Sequence, residues 1–456
     1  METAIRAINI ILLAGISFFF LALAATSIRE RRYRAAAVAG LFLALNCAFW
    51  LLMNSGLDLA WVRWVNIAAV VLIAALGAVS IIKFFPGEKQ KRNPAAALRY
   101  DERDNMFSRN NLRHYPELME EYYWDKPEKA KIDKEIHGMP EFGEPGHTYY
   151  HRYAAPVYQA AFEYIERTIP VSQGEPAEEK KEIDPAALKK FITDAAVFYG
   201  ACDVGFARLK SYHLYSHRGR HAESWGEEVA TDHKSAIVIA LQMDPEMILS
   251  APTGTVIQES FRKYVEAAKV SDIIAAYIRS FGYRARAHND ANYQTLCVPL
   301  AVDAGMGELG RLGVLIHYRY GPLVRLAVVT TELELEAGPS QNQHIGDFCM
   351  ICRKCSDNCP TSAISSGEEP KSRGFRHWSI EQEKCYRFWK RIGTDCGVCL
   401  AVCPYSKPDS LMHRLVRFYI SRNRLNQRMA LLFDDLMYGR RKKISQRNPE
   451  NLFNTG

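Results

Sequence analysis

The sequence predicts an α+β fold: a sheet domain preceded by three apolar helices and followed by a small cysteine-rich domain. Three observations predict it. Three uncharged runs near the N-terminus are each long enough to cross a bilayer. Between residues 185 and 338, β-branched runs alternate with amphipathic stretches, as strands interleaved with helices do. The pattern Cys-x2-Cys-x3-Cys-Pro then occurs twice, ending at Cys359-Pro360 and at Cys403-Pro404.

The apolar runs are "INIILLAGISFFFLALAAT" (8–26), "AAAVAGLFLALNCAFWLLM" (35–53) and "VNIAAVVLIAALGAVSII" (65–82). Each suffices for a hydrocarbon core of about 30 Å. The first run alone has the length of a signal peptide. No small-residue cleavage site leads from it into a soluble domain, and two more runs follow, so a three-helix anchor over residues 1–92 is expected. No twin-arginine signal stands at the start. "RERRYR" (29–34) and "KFFPGEKQKR" (83–92) are richer in positive charge than "NSGLDLAWVRW" (54–64). The positive-inside rule then places the N-terminus outside and the large domain on the cytoplasmic side of the inner membrane. That compartment is reducing and suits free thiolates.

Residues 93–184 read as an irregular, aromatic-rich extension, interrupted by prolines, that either wraps a core and shapes a cleft or is simply a surface extension. "SQGEPAEEKKEID" (172–184) reads as an exposed linker. Regular structure begins at Asp184-Pro185 with a helix to about Gly200, its inner face formed by Ile192, Ala195, Ala196 and Tyr199. "CDVGFARL" and "SAIVIALQM" read as buried strands. A long helix covers 256–281 and stops at Gly282. "LGVLIHYRYGP" and "LVRLAVVTTELEL" give two more strands across a Gly-Pro turn. The sheet domain thus spans 185–338.

The cysteine domain spans 339–410. Cys349, Cys352, Cys355 and Cys359-Pro360 form the C-x2-C-x2-C-x3-C-P run of bacterial ferredoxins, in which the fourth cysteine serves the other cluster. The second set is Cys385, Cys396, Cys399 and Cys403, with Cys385 displaced to eleven residues before Cys396. One 4Fe–4S cluster is therefore expected on Cys349, Cys352, Cys355 and Cys403. The other is expected on Cys385, Cys396, Cys399 and Cys359. A disulfide framework belongs to short secreted chains, and zinc sites use paired C-x2-C units without the proline-terminated run. Cys47, Cys202 and Cys297 lie among apolar residues and read as packing groups.

The net charge of +7 is modest, and no interleaving of aromatic with basic residues marks a nucleic-acid surface. The basic C-terminal stretch 411–456 reads either as a segment near anionic lipid headgroups or as a solvated tail. No G-x-G-x-x-G and no P-loop occur. "DAGMGELGRLG" (303–313) fits neither phosphate cradle; Gly305, Gly307 and Gly310 suit close approach to something flat, or a tight turn.

"YGACDVGFARL", "LYSHRGR", "YIRSFGYRARAHND", "PLAVDAGMGELGRLGVLI", "YGPLVRLAVVTTELEL" and the split cysteine run occur in this order over about 185–410. Together they resemble the catalytic subunits of reductive dehalogenases. The resemblance implies a nitroreductase-like α/β domain that buries a corrinoid, with Gly305, Gly307 and Gly310 against it, and a bicluster ferredoxin-like domain that supplies electrons. The corrinoid has no protein ligand on its lower face in that family, and no D-x-H-x-x-G stretch occurs here. The implied reaction replaces a halogen on a small organic substrate by hydrogen, using two electrons from an unidentified donor and one proton. Respiratory members are exported on a twin-arginine signal and use a separate small anchor, whereas this chain carries its own apolar runs.

By the same resemblance Tyr215, in "LYSHRGR", is the expected proton donor, and Lys269, in "EAAKVSD", the cation that stabilises its phenolate. His213 and His217 flank the tyrosine and read as loop histidines. The epoxyqueuosine reductases are similar over the same region. They act on a modified tRNA base and carry a catalytic Asp near the position of Asp290, but the surrounding motif differs. A membrane electron-transfer subunit with two clusters and no catalysis is the third reading; it has no need of a sheet domain before the clusters.

Overall fold

The computed structural model describes residues 2–53, 60–85, 98–290, 292–339, 341–372 and 375–442. The chain forms two compact units: residues 1–88 with 408–442, and residues 89–407 with 443–456. Most of the 54–64 and 83–92 segments used for the orientation expectation lies outside the described residues.

The first unit opens with helices α1 (Glu2–Arg29), α2 (Tyr33–Met53) and α3 (Ala60–Ile81). The stretches Ile10–Arg29 and Tyr33–Leu52 are long and apolar enough to cross a membrane, and little of either is buried inside the protein. Where α1 meets α2, Asn46 Nδ2 donates to Ser17 Oγ (3.0 Å) and Trp50 Nε1 donates to Asn46 Oδ1 (3.1 Å). Cys47 joins this contact at 3.9 Å from Ser17.

In the second unit the extension corrects the expectation of irregularity. It carries α4 (Met106–Asn111), α5 (Pro116–Asp125), α6 (Pro127–His137) and α7 (Ala155–Thr168). The prolines that read as breakers occupy the first or second helical position of α5, α6 and α7. There the missing N–H has no intrahelical partner to lose. Arg109, fully buried, bonds Asp133 (2.7 and 2.9 Å) and Glu383 (2.7 Å), tying the extension to the cysteine domain. The extension is therefore largely helical and is bonded to the cysteine domain through Arg109. Residues 173–184 run without regular structure, mostly exposed.

Next comes α8 (Pro185–Phe198), capped by the Asp184 carboxylate at the Ala186 N–H (2.9 Å). Strands β1 (Asp203–Arg208) and β2 (Ser235–Gln242) follow, then α9 (Pro245–Leu249), α10 (Thr255–Arg279), β3 (Ala285–His288) and α11 (Cys297–Asp303). β4 (Gly307–Leu309) and β5 (Leu315–His317) make a small hairpin, and β6 (Val324–Thr331) completes the main sheet. That sheet has the order β1-β2-β6-β3, with every pair antiparallel.

β2 explains the unbroken apolar run "SAIVIAL". Ile237, Ile239 and Leu241 face the α8–α10 layer, with Ile192, Ile274 and Ile278. Ala236, Val238 and Ala240 face α11, with Leu300, Ala301 and Met306. Both faces are dry, so period-two alternation is lost. Each such aliphatic side chain stabilises the domain by about 1.5–3 kcal/mol on burial. Cys202 and Cys297 pack against the α11 face, as expected. The long helix stops because Gly282 takes φ +83°, and a Cβ there would strike the Glu179 carbonyl.

Asp272 sits on the buried side of α10 and accepts from Asn289 Nδ2 (3.0 Å). Burial raises its carboxyl to about 7. The folded state therefore holds a proton that the unfolded chain releases near pH 4, so stability falls as pH rises from about 4 to about 7 and is level above. An Asp272→Asn variant should gain melting temperature over the parent as pH rises from 5 to 7, with a constant gain at pH 8. A gain independent of pH would contradict this.

The cysteine domain is built from α12 (Ile345–Cys352), α13 (Lys354–Asp357), α14 (Gln382–Ile392) and α15 (Val398–Ala401). After it the chain returns to the first unit as α16 (Leu411–Ile420) and α17 (Arg424–Tyr438). These helices replace the expected basic tail: Met412 and Met437 pack with Leu23, Ala35 and Ala39 of α1 and α2.

Candidate active site and cluster cysteines

α12 and α13 are separated by a single residue, Arg353, in the left-handed region (φ 57°). That kink brings the α13 cysteine, Cys355, back toward Cys349 and Cys352 of α12, and Cys349 acts on the Cys355 thiol. Cys385 lies in the first turn of α14, an eleven-residue helix that accounts for the displaced spacing. Gly397 and Cys396, both at positive φ, turn the chain from there into α15.

The cysteine thiols act on one another through space. Burial raises Cys403, and the nearby Cys349, Cys352 and Cys355 raise it further. Burial lifts Cys385 to about 12, with Cys396 and Cys359 adding to it. Cys399 is raised by burial and by Cys396, Cys385, Cys355 and Cys359, so the two sets are neighbours. A metal centre reverses this penalty, because a coordinating thiol is deprotonated by the metal's charge. Among the described residues no three His, Cys, Asp or Glu side chains converge as one mononuclear ion requires. A cubane spreads its ligands over separate corners. Arg311, 1% exposed, lies beside the first set: its Nε donates to the Cys349 carbonyl (3.0 Å) and its guanidinium stacks over Trp378 (4.8 Å).

Tyr215 is clamped from two sides. Its N–H donates to the Gln294 carbonyl (3.1 Å), and the Ser216 N–H donates to the Tyr100 carbonyl of the extension (2.8 Å). Arg99 also donates to the Tyr215 carbonyl. The ring lies with Leu214, Val229, Tyr100 and Tyr293. Among the described residues nothing hydrogen-bonds its hydroxyl. Burial holds the phenol well above the ordinary tyrosine range. Glu102 raises it further, while Arg220 pulls it down. The loop is held close by Gly219, whose N–H donates to Glu102 (2.8 Å) and whose Cα presses on the Glu102–Arg103 backbone.

Lys269 is not the cation. Its side chain is exposed on α10, and the charged groups acting most strongly on Tyr215 are Glu102 and Arg220. A cation in solvent is screened and does little for a buried phenolate. Arg220 also acts on Tyr264 and Tyr386. Tyr264 in turn lies under the Arg325 guanidinium (4.8 Å), and Arg325 pairs with Asp395 (3.2 Å), next to Cys396. Tyr264, Arg325 and Asp395 are thus in contact beside the second cysteine set, and the Arg220 charge acts on both Tyr215 and Tyr264. Asp290 acts on Tyr264, Tyr293 and Arg325. His213 is buried and pairs with the partly exposed Asp303 (3.3 Å), and His217 contacts Ser216 (3.1 Å).

The three glycines serve chain packing and not an open cradle. A Cβ on Gly305 would overlap the Pro339 carbonyl, one on Gly307 the Ile316 carbonyl across the β4–β5 hairpin, and one on Gly310 the Ile316 side chain. Gly305, at φ +76°, sits in a tight turn, Gly307 lies within β4, and at each of the three the chain packs closely on the side a Cβ would occupy.

Residues 348–407 match the family model described as a 4Fe-4S dicluster domain. The chain is 34% identical to a tetrachloroethene reductive dehalogenase of Desulfitobacterium hafniense over 205 residues, 42% of this chain and 37% of the relative. It is 28% identical to the tetrachloroethene reductive dehalogenase of Sulfurospirillum multivorans over 298 residues, 58% and 59% of the two chains. The solved structure of a catabolic reductive dehalogenase (NpRdhA) with 3-bromo-4-hydroxybenzoic acid superposes with a TM-score of 0.63 at 22% identity, covering 79% of this chain and 49% of that one. That likeness shows the fold. The chain spans between about a third and three fifths of the curated relatives it matches here. Over these stretches the chain is similar in sequence and in fold to the reductive dehalogenases, and residues 348–407 form a 4Fe-4S dicluster domain.

Proposed function

We propose that this chain is a membrane-anchored, corrinoid-dependent iron–sulfur oxidoreductase that replaces a halogen on a small organic substrate by hydrogen, taking up two electrons and one proton and releasing halide. The observation that carries this reading is the pair of neighbouring four-cysteine sets, within a stretch that matches a 4Fe-4S dicluster domain, following a sheet domain that holds a buried phenol with an unbonded hydroxyl. Cys349, Cys352, Cys355 and Cys403 would hold one cluster, and Cys385, Cys396, Cys399 and Cys359 the other. Their contiguity suits the passage of single electrons.

The site's donor set fits a corrinoid, whose rim is lined with carboxamides. Arg220 Nε and Arg325 Nε are buried without a partner, beside Tyr215 and Tyr264 respectively. His213 and His317 are engaged by Asp303 and Asp203, which agrees with a cofactor that takes no imidazole from the protein. When bound, the corrinoid would supply the nucleophile and electron carrier. Tyr215 would hold the proton at its hydroxyl, and Arg220 would lower the cost of the phenolate left behind. The helical extension would keep bulk water from this loop.

α1 and α2 would anchor the chain in the inner membrane, with α3 as a third pass and the cluster-bearing unit in the cytoplasm. Anaerobic purification with corrinoid supplied, followed by iron and cobalt analysis and by halide assay on a panel of organohalides, tests the proposal. Cobalt with no halide from any substrate would favour a corrinoid reductase of another substrate class. Iron alone would favour an electron-transfer subunit.

A further inference from the structure

The α16–α17 hairpin carries an apolar face on its exposed side. On α17 two of the three buried side chains are polar, Asn426 and Gln427 each being 1% exposed, and the third is Met437. Its exposed side carries a run of apolar residues. Leu425, Met429, Leu432, Phe433 and Leu436 recur at helical spacing along one face, and Leu432 keeps 61% of its surface. On α16, Leu411, Leu415 and Phe418 make a second exposed stripe at the same spacing.

The inward polar groups have a defined task. Asn423 Nδ2 donates to the Val79 and Ile82 carbonyls (2.9 and 3.1 Å), Arg422 Nε to Ile81 (2.9 Å) and Asn426 Nδ2 to Ser80 (3.0 Å). These carbonyls lie at and just past the end of α3, where a helix runs out of donors for its last carbonyls; Val79 also accepts from the Ile82 N–H (3.2 Å). The hairpin caps the third apolar helix from a distant part of the chain and spends its inner face on polar bonds.

Two observations say what covers the outer face. The stripe continues the surface of the membrane-length helices, since Phe433 meets Phe42 of α2 edge-on (5.9 Å). The segment 408–442 is also basic, with eight lysines and arginines against three aspartates, and Arg414, Arg424 and Arg428 are exposed. We propose that α16 and α17 lie in the bilayer interface, with the stripes among acyl chains and the arginines at anionic headgroups. The hairpin is then a second, non-spanning membrane attachment that seals the end of α3. This rests on the membrane reading of α1 and α2 and is independent of the dehalogenation chemistry.

The test uses the full chain in phosphatidylcholine–phosphatidylglycerol vesicles doped with a lipid that carries a photoreactive diazirine in its acyl chain. Labelled residues are mapped by mass spectrometry. Label is expected on α1 and α2 and also on Leu425, Met429, Leu432, Phe433 and Leu436. A Leu432→Asp/Leu436→Asp double variant should lose hairpin label several-fold with α1 and α2 unchanged. Label on α1 and α2 with none on the hairpin would overturn the proposal, as would cross-linking of the stripe to a second copy of the chain. Absence of label from α1 and α2 as well would overturn the anchor reading first, and this one with it.

Discussion

A Tyr215→Phe enzyme is expected to turn over more slowly by a factor of about 10² or more, the scale of losing a general acid, while keeping its iron, corrinoid and fold. The change removes one hydroxyl that bonds nothing among the described residues, so packing around Tyr100, Tyr293 and Val229 survives. Burial keeps the phenol above its ordinary value of about 10. It stays protonated across the neutral and mildly alkaline range, so the parent's rate should show no alkaline loss from this group below about pH 10. Its proton is useful only if the phenolate is stabilised at the moment of transfer. Arg220 is the cation that acts on it, so Arg220→Gln should also slow turnover, by less than Tyr215→Phe, whereas Lys269→Met should leave the rate unchanged. Near-parental turnover in a Tyr215→Phe protein that retains cobalt and iron would move the proton donor elsewhere, with Asp290 the next residue to change.

Cys385→Ala should abolish turnover and remove one cluster while sparing the other. Iron should fall from about eight to about four atoms per chain, with one of the two electron paramagnetic resonance signals retained. The expectation rests on the ligand spacing, which makes Cys385 the fourth member of the second set, and on the charges of Cys396 and Cys359 acting on Cys385 while those of Cys349, Cys352 and Cys355 act on Cys403. Cys352→Ala should remove the complementary signal. Two intact signals and unchanged iron in the Cys385 variant would refute the ligand assignment.

The cysteine sets were legible because ligand spacing is local, and the displaced Cys385 needed only the insertion of one helix. β2 and α10 were legible because unbroken apolar runs and a 25-residue stretch free of Gly and Pro admit few alternatives. The extension was misread because Pro116, Pro127 and Pro156 start helices as readily as they break them. β3 was hidden because four residues, Ala285–His288, are too short for periodicity to register. Arg325 and Asp395 carry no sequence signal, since their pairing exists only once β6 and the cysteine domain meet. The glycines of 305–310 showed that close approach was needed, but not that the approaching group was the chain itself. The C-terminal segment was read by charge alone, and its apolar face emerges only when the helical register is known.

The central claim is that two clusters and a corrinoid in this one chain drive the loss of halide. The most direct test is anaerobic reduction of the reconstituted full chain with a chemical donor and an organohalide, counting halide released against electrons consumed. One halide for every two electrons, dependent on corrinoid and lost in Tyr215→Phe, is the expected result. Electron uptake with no halide, or halide release undiminished when corrinoid is omitted, would contradict it.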